Sequence, residues 1–221
     1  MIIEEDGYTL VGRCELILPL GLTLSKKGER NITYFSEALC AAEYLDKLPE
    51  DEIFTEKTID TIKKMLTEKF SSFGYDLEVV LSTVFRLDNR DKINKSLILP
   101  STEPLLPEHG YENLTDCEPD PLGEGLLCFG TVIDEKIVSA AAENPHDADD
   151  KVIDIGVETA PGYEGRGFAA SNIASLAYYL LDPGMSVTYI AEENNLPSLR
   201  VAEKVGFSPS TRELRVVCYL K

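Results

Sequence analysis

Three glycines between a predicted strand and a predicted helix are the first residues whose types and spacing suggest chemistry. They are Gly162, Gly165 and Gly167. Glycine lets backbone amides approach a ligand closely. The first amides of a helix lack partners within the helix and carry partial positive charge. The stretch therefore predicts an anion site, most often for phosphate, although a tight turn without a ligand explains the same spacing equally well.

The order of these glycines argues against two common nucleotide-binding motifs. They run GxxGxG, whereas dinucleotide-binding folds use GxGxxG. Phe168 and Ala169 follow the last glycine, where a P-loop requires Lys and then Ser or Thr. Neither a Rossmann nor a kinase-type phosphate site is expected.

A second segment, residues 194–207, has the residue types that begin and end a helix. Asn195 is a favourable N-cap, Pro197 suits the first turn, and Gly206 suits the position after the last turn. Taken alone, this pattern predicts helix boundaries and no ligand.

Apolar periodicity predicts the elements that must position these segments. The strands are expected at residues 8–20, ending at Pro19 and Gly21, and at 77–87, 126–133, 136–143, 152–159, 185–191 and 213–220. The helices are expected at residues 31–47, 56–70, 167–181 and 197–205. The proline-rich residues 100–125 are expected to be a linker or a surface loop. Strands followed by a β-α-β-α-β order predict an α/β or α+β sheet with packed helices.

Together, the two segments resemble the GNAT superfamily of acyl-CoA-dependent N-acetyltransferases, over roughly residues 126–221. The family loop (Q/R)xxGx(G/A) is matched by residues 164–169, with Glu164 at the first position. The later family motif is matched by Asn195, Ser198, Gly206 and Phe207. A tyrosine that many members place four residues before that motif's glycine is replaced by Ala202.

The resemblance implies a mixed, splayed β-sheet flanked by helices, in a GNAT domain at residues 76–221. Residues 1–75 form an N-terminal strand and helical portion, either separate or part of the same domain. The resemblance also implies acetyl-CoA as co-substrate, no metal, and acyl transfer to a primary amine by direct attack in a ternary complex. A catalytically degenerate module that binds coenzyme A or a partner is the alternative. A homodimer stays open.

The resemblance places coenzyme A against the predicted strand and the two motifs. The residues expected to bind it are Val157, Thr159, Glu164, Gly165, Arg166, Gly167, Phe168, Ala169, Asn195 and Ser198.

An amine nucleophile must lose a proton, and a carboxylate is the usual base. Strand alternation places Asp154, Gly156 and Glu158 on the face opposite Ile153, Ile155 and Val157. Gly156 predicts a bulge. Asp154 and Glu158 are therefore the candidate general bases, and two solvated carboxylates on a polar face are the alternative.

Charge and cysteine usage restrict the partners and the compartment. The 39 acidic and 21 basic residues leave a net charge of −18, which disfavours nucleic acid and favours cationic partners such as amines. The alternative is that the acidity serves only to keep the protein soluble. The five cysteines are scattered along the sequence, so we expect neither a disulfide framework nor a zinc site. Free cysteines are typical of a reducing compartment, and we therefore expect a cytoplasmic protein. The sequence has no apolar run that predicts a membrane span, and the acidic start does not resemble a signal peptide.

Overall fold

The computed structural model describes residues 2–4, 9–11, 15–25, 29–34, 38–71, 75–105, 126–144 and 151–220. The chain forms two compact units, residues 84–209 and residues 1–83 with 210–221. The last strand of the chain thus belongs to the first unit. The division expected between residues 75 and 76 stays a prediction.

Along the described residues, four strands are followed by three helices and five further strands, and helices and strands alternate only in the last part of the chain. The strands are β1 (Ile2–Glu4), β2 (Thr9–Val11), β3 (Glu15–Ser25), β4 (Arg30–Tyr34), β5 (Tyr75–Leu87), β6 (Thr102–Pro104), β7 (Cys128–Ile133), β8 (Lys136–Glu143), β9 (Val152–Thr159), β10 (Ser186–Glu192) and β11 (Ser208–Leu220). The helices are α1 (Leu39–Lys47), α2 (Glu50–Ile53), α3 (Glu56–Ser71), α4 (Phe168–Leu180) and α5 (Leu196–Val205).

In the first unit, helices α1 and α3 share an apolar core with an open sheet. The strand order is β1-β4-β3-β11; β1 and β4 are parallel, and β3 is antiparallel to both β4 and β11. The helix α1 contributes buried Ala41 and Leu45, and α3 contributes buried Ile62 and Leu66 at the predicted helical spacing. The predicted helix at residues 56–70 is confirmed.

Two predictions for the first unit are wrong. Residues 30–34 form β4 and the helix begins at Leu39, because Ile32 pairs with strands on both sides and is fully buried. The strand expected to stop at Pro19 and Gly21 continues to Ser25. The pairing of β3 with β11 shifts register at this point, so Pro19, which lacks an N–H, falls within a bulge.

In the second unit, strands β10, β9, β8, β7 and β6 follow one another in a mixed sheet. The β10–β9 pair is parallel, and the other three pairs are antiparallel. The two-residue connection between β7 and β8 has Asp134 and Glu135 at φ 51° and 62°, as tight hairpins require. The short strand β6 lies within the residues predicted to be a linker or loop, and it pairs with β7. It is the last strand in the strand order, and an edge strand tolerates Pro104. Residues 106–125 lie outside the described residues.

Helix α4 packs on β7, β8 and β9, and α5 packs on β10 and α4. The core of this unit joins Ile153 and Ile155 of β9 with Ile173 and Leu176 of α4, all buried. The predicted α/β class, with a mixed sheet and flanking helices, is confirmed. In the described ranges no helix is long and apolar enough to span a membrane.

Candidate functional site

Strands β9 and β10 are parallel neighbours that pair over only part of their length. Their pairing runs from Ser186 opposite Val152 to Tyr189 opposite Ile155. Beyond that pair both strands continue, β9 to Thr159 and β10 to Glu192. The sheet therefore opens between the two strands at the end of β9 that leads into the glycine loop.

The backbone of β9 directs alternate residues toward this opening. The Ala160 N–H donates to Val138 O at 2.9 Å, on the side of β8. The Lys151 carbonyl accepts from the Ser186 N–H at 2.8 Å, on the side of β10. Because backbone groups alternate along a strand, Val157 and Thr159, like Lys151, turn their N–H and C=O groups toward β10.

The predicted bulge at Gly156 is wrong. The β8–β9 register is unbroken from Glu143 opposite Ile155 to Ser139 opposite Thr159. The opening in the sheet therefore arises where β9 separates from β10, without an extra residue in β9.

The glycine loop ends where helix α4 begins. Gly162, Gly165 and Gly167 have φ values of 87°, 74° and 89°, a region that other residues seldom adopt. The first helical hydrogen bond of α4 joins the Ser171 N–H to Gly167 O at 3.0 Å. The amides of residues 168–170 precede that bond and have no acceptor within the helix. This is the arrangement that binds anions at helix starts.

Two charged side chains of the loop are used to hold its shape. A Glu164 carboxylate oxygen accepts the Gly162 N–H at 2.7 Å. The Arg166 guanidinium donates to Gly162 O at 3.0 Å and lies 4.9 Å from the centre of the Tyr163 ring. The negative charge of Glu164 is therefore turned back onto its own loop, and Arg166 is committed to the loop backbone.

A cavity of about 510 Å³ lies at the opening of the sheet, between the glycine loop and α5. All but one of the predicted coenzyme A residues line it, and the exception is Arg166. The predicted lining residues are Val157, Thr159, Glu164, Gly165, Gly167, Phe168, Ala169, Asn195 and Ser198. The sequence prediction missed Tyr163, Ala170, Tyr189, Pro197, Arg200, Val201 and Lys204. Four of these share one helical face between residues 197 and 204, and that spacing is a signal that could have revealed them.

Helix α5 begins and ends as its sequence predicts. The Asn195 side-chain oxygen accepts the Ser198 N–H at 3.2 Å, and Pro197 lies in the first turn. Gly206 follows the last turn at φ 119°. Asn195 thus serves as the cap and also lines the cavity.

The two candidate bases lie on the predicted face of β9. Ile153 and Ile155 are buried in the core, and Asp154 and Glu158 are half-buried on the other face. The Asp154 carboxylate accepts hydrogen bonds from Thr188 Oγ1 at 2.9 Å and from Asn144 Nδ2 at 2.5 Å. Neither carboxylate is among the residues that line the cavity.

A buried polar network fixes α4 to the sheet beneath the cavity. The Asn172 side-chain oxygen accepts from Thr102 Oγ1 and Thr131 Oγ1, at 3.1 and 3.2 Å. Its nitrogen donates to Ser139 O at 3.0 Å, and the Ser139 hydroxyl lies 2.9 Å from the Thr159 hydroxyl. The cavity-lining Thr159 is therefore linked to the helix through β8.

The buried Cys128 is not an activated nucleophile. Burial raises the pKa of the Cys128 thiol to about 12, so this group is protonated at neutral pH. Cys40 is exposed on α1. Among the described residues no cluster of three or more His, Cys, Asp or Glu side chains could hold a metal ion. Cys14, Cys117, His109 and His146 lie outside the described residues.

The family comparison covers the unit that contains this cavity. The model of the Acetyltransferase (GNAT) family matches residues 91–207, more than half of the chain. No curated protein matches the chain in sequence.

Solved structures with a similar fold include three bacterial proteins. A GCN5-related N-acetyltransferase-like protein from Streptococcus suis has 18% identity and a TM-score of 0.51, with 76% of this chain and 69% of that chain covered. A protein described as a GNAT-family acetyltransferase from Novosphingobium aromaticivorans has 19% identity and a TM-score of 0.49, covering 65% and 67%. A GNAT-family acetyltransferase from Colwellia psychrerythraea has 16% identity and a TM-score of 0.45, covering 70% and 61%. At 18% identity, the similarity to the Streptococcus suis structure shows a shared fold and nothing about function.

Proposed function

Because the chain belongs to the GNAT acetyltransferase family, we propose that it transfers an acetyl group from acetyl-CoA to a primary amine. The observation that carries this proposal is the cavity between β9 and α5, into which the start of α4 and the end of β9 both open. A helix start suits a pyrophosphate, and an unpaired strand edge suits the amides of a pantetheine arm.

The chain supplies binding groups for each part of the donor. The amides at the start of α4, after Gly167, bind the pyrophosphate. The backbone of Val157 and Thr159 pairs with the pantetheine arm as a short added strand would. The open space at Gly165 and Gly167 allows this approach, since a Cβ at either position would meet nothing within 4 Å. Asn195 and Ser198 border the arm from the start of α5.

The proposed chemistry is a direct attack within a ternary complex. The neutral amine forms the new C–N bond, the C–S bond breaks, and the electron pair leaves with the thiolate. Ala202 is fully buried and offers no proton to that sulfur, but a thiol with a pKa of ~8.5 is a tolerable leaving group as an anion. The amine proton passes to a carboxylate of β9, directly or through water.

We propose Glu158 ahead of Asp154 as that base, because Glu158 lies nearer to the glycine loop along β9. Glu158→Gln is expected to lower turnover by roughly 10²–10⁴-fold and to leave acetyl-CoA affinity unchanged. Asp154→Asn is expected to act mainly on stability. Steady-state turnover and urea denaturation of both variants distinguish the roles, and full activity of Glu158→Gln would exclude it as the base.

Acetyl-CoA titration by calorimetry, followed by thiol release with an amine panel, tests the function itself. The panel consists of a polyamine, an aminoglycoside, an amino acid and a peptide with a free N-terminus. Binding together with thiol release that depends on one amine supports transfer. Absence of acetyl-CoA binding would overturn the proposal.

A coenzyme A-binding module without transfer is the second candidate, and Ala202 favours it because no hydroxyl stands at that position. Binding without amine-dependent thiol release would favour this module over the enzyme.

A further inference from the structure

Four hydroxyl side chains, named here the hydroxyl row, lie in register across four neighbouring strands. Thr102 of β6 is opposite Thr131 of β7, Thr131 is opposite Ser139 of β8, and Ser139 is opposite Thr159 of β9. Directly opposed residues share one face of a sheet. Asn172 of α4 accepts hydrogen bonds from Thr102 and Thr131, so this is the face that α4 covers. The row ends at Thr159, which lines the cavity.

The hydrogen bonds of Ser139 have a definite direction. Its hydroxyl lies 3.0 Å from Glu158 O and 2.9 Å from Thr159 Oγ1. A carbonyl oxygen can only accept, so Ser139 donates its one proton to Glu158 O. The Thr159 hydroxyl then donates to Ser139 Oγ. Ser139 is therefore the member of the row that connects β8 to the last two residues of β9.

The carbonyl that Ser139 contacts belongs to the peptide unit between Glu158 and Thr159. A trans peptide points its C=O and its N–H in opposite directions. Glu158 O lies on the side of β8, so the Thr159 N–H points toward the opening between β9 and β10. A hydrogen bond to the carbonyl holds the orientation of this peptide and polarises it, which makes its N–H a stronger donor.

The packing of β8 does not by itself explain a hydroxyl at Ser139. The next three residues of the strand, 140–142, are buried alanines, and Ser139 is fully buried as well. A buried hydroxyl costs free energy unless hydrogen bonds compensate for it. The backbone pairing of β8 with β9 needs no side chain, so an alanine would complete the strand without that cost. The bonds of Ser139 to the end of β9 are the better explanation.

We propose that Ser139 is a positioning residue, which acts through the Thr159 N–H on the pantetheine arm of the donor. This role rests on the proposed function, in which the arm pairs with the backbone of Val157 and Thr159. Ser139 is not among the residues that line the cavity. Its effect is therefore indirect, and it is confined to the part of the donor that pairs with β9.

The experiment measures two ligands by calorimetry in the native protein and in Ser139→Ala. They are acetyl-CoA and 3′-phospho-ADP, the part of coenzyme A without the pantetheine arm, which is measured by its displacement of acetyl-CoA. The variant is expected to bind acetyl-CoA about three- to ten-fold more weakly, the effect of one hydrogen bond. Its affinity for 3′-phospho-ADP is expected to equal that of the native protein. Ser139→Cys keeps a weaker donor, so its loss should be smaller, and it serves as the test if Ser139→Ala does not fold.

Thr131→Val is the matched control, because it also deletes a fully buried hydroxyl of the row. Thr131 donates to Asn172, which keeps its hydrogen bond from Thr102. The control should bind both ligands with native affinity, even where urea denaturation shows a loss of stability similar to that of Ser139→Ala. A role of Ser139 in stability alone would not separate the two variants in this way.

Each other outcome overturns the inference. Native acetyl-CoA affinity in the folded Ser139 variant would remove Ser139 from donor binding and leave the proposed function intact. An equal loss of both ligands in that variant, or the same loss of acetyl-CoA in Thr131→Val, would mean that these hydroxyls support the fold and not the Thr159 N–H. If the native protein does not bind acetyl-CoA, the inference fails together with the proposed function.

Discussion

Gly167 precedes the first turn of α4 and Gly206 follows the last turn of α5, and the space around the two glycines differs. Both have positive φ, 89° at the start of α4 and 119° after α5. A Cβ on Gly167 would meet no atom within 4 Å, whereas a Cβ on Gly206 would lie 2.2 Å from Lys92 O. The first glycine borders a cavity, and the second is required by packed backbone. Similar sequence signals can therefore mark a ligand site at one position and a packing constraint at another.

The packed glycine is expected to give the largest effect. Gly206→Ala places a Cβ against the Lys92 backbone and also forces a left-handed conformation, so the expected loss is about 2–4 kcal/mol of unfolding free energy. Urea denaturation measures it. Gly184→Ala is the matched control, because Gly184 has φ 90° and open space around it. Its expected cost is about 1–2 kcal/mol. Equal losses in the two variants would show that the contact with Lys92 does not matter.

The open glycine is expected to affect binding more than folding. Gly167→Val adds a branched side chain where the pyrophosphate would sit, so acetyl-CoA affinity should fall by ~10-fold or more. Gly184→Val adds the same strain far from the loop in sequence and outside the residues that line the cavity, and should retain full affinity. Calorimetry on both folded variants makes the comparison. Unchanged affinity in folded Gly167→Val would remove the pyrophosphate from this loop.

Local signals predicted the second unit well because its boundaries depend on nearby residues. Asn195 caps α5 through its own side chain, and Gly206 ends the helix through its own φ. The hairpin at Asp134 and Glu135 needs only two residues between apolar runs.

The errors lie where distant segments decide the conformation. Residues 30–34 have a helix-start signal at Asn31, yet they pair with β3 and β1. No local pattern contains those partners, so tertiary pairing overrode the signal. The opening of the sheet at Gly156 likewise depends on where β10 stops pairing with β9.

The sequence motifs predicted the glycine loop and the start of α5 as parts of the candidate site, but not the side chains further along α5 that also line the cavity. Arg200 and Lys204 lie within α5, and their exposure toward the cavity depends on how α5 packs on β10 and α4. Their spacing from Pro197 was visible in the sequence and places the three residues on one helical face, but the packing that turns this face toward the cavity was not.

Within the glycine loop, Glu164 is expected to give the smallest effect. Its carboxylate accepts the Gly162 N–H at 2.7 Å, so the side chain supports the loop while placing a negative charge beside the proposed pyrophosphate site. Glu164→Gln keeps an acceptor for that N–H and removes the charge. Acetyl-CoA affinity should therefore rise by about two- to five-fold at low salt, and the gain should shrink as salt screens the charge. Glu164→Ala removes both the charge and the acceptor, so any gain should be offset by a looser loop. Calorimetry at two salt concentrations separates these contributions. A loss of affinity in Glu164→Gln would mean that the carboxylate is needed for the loop more than it opposes the ligand.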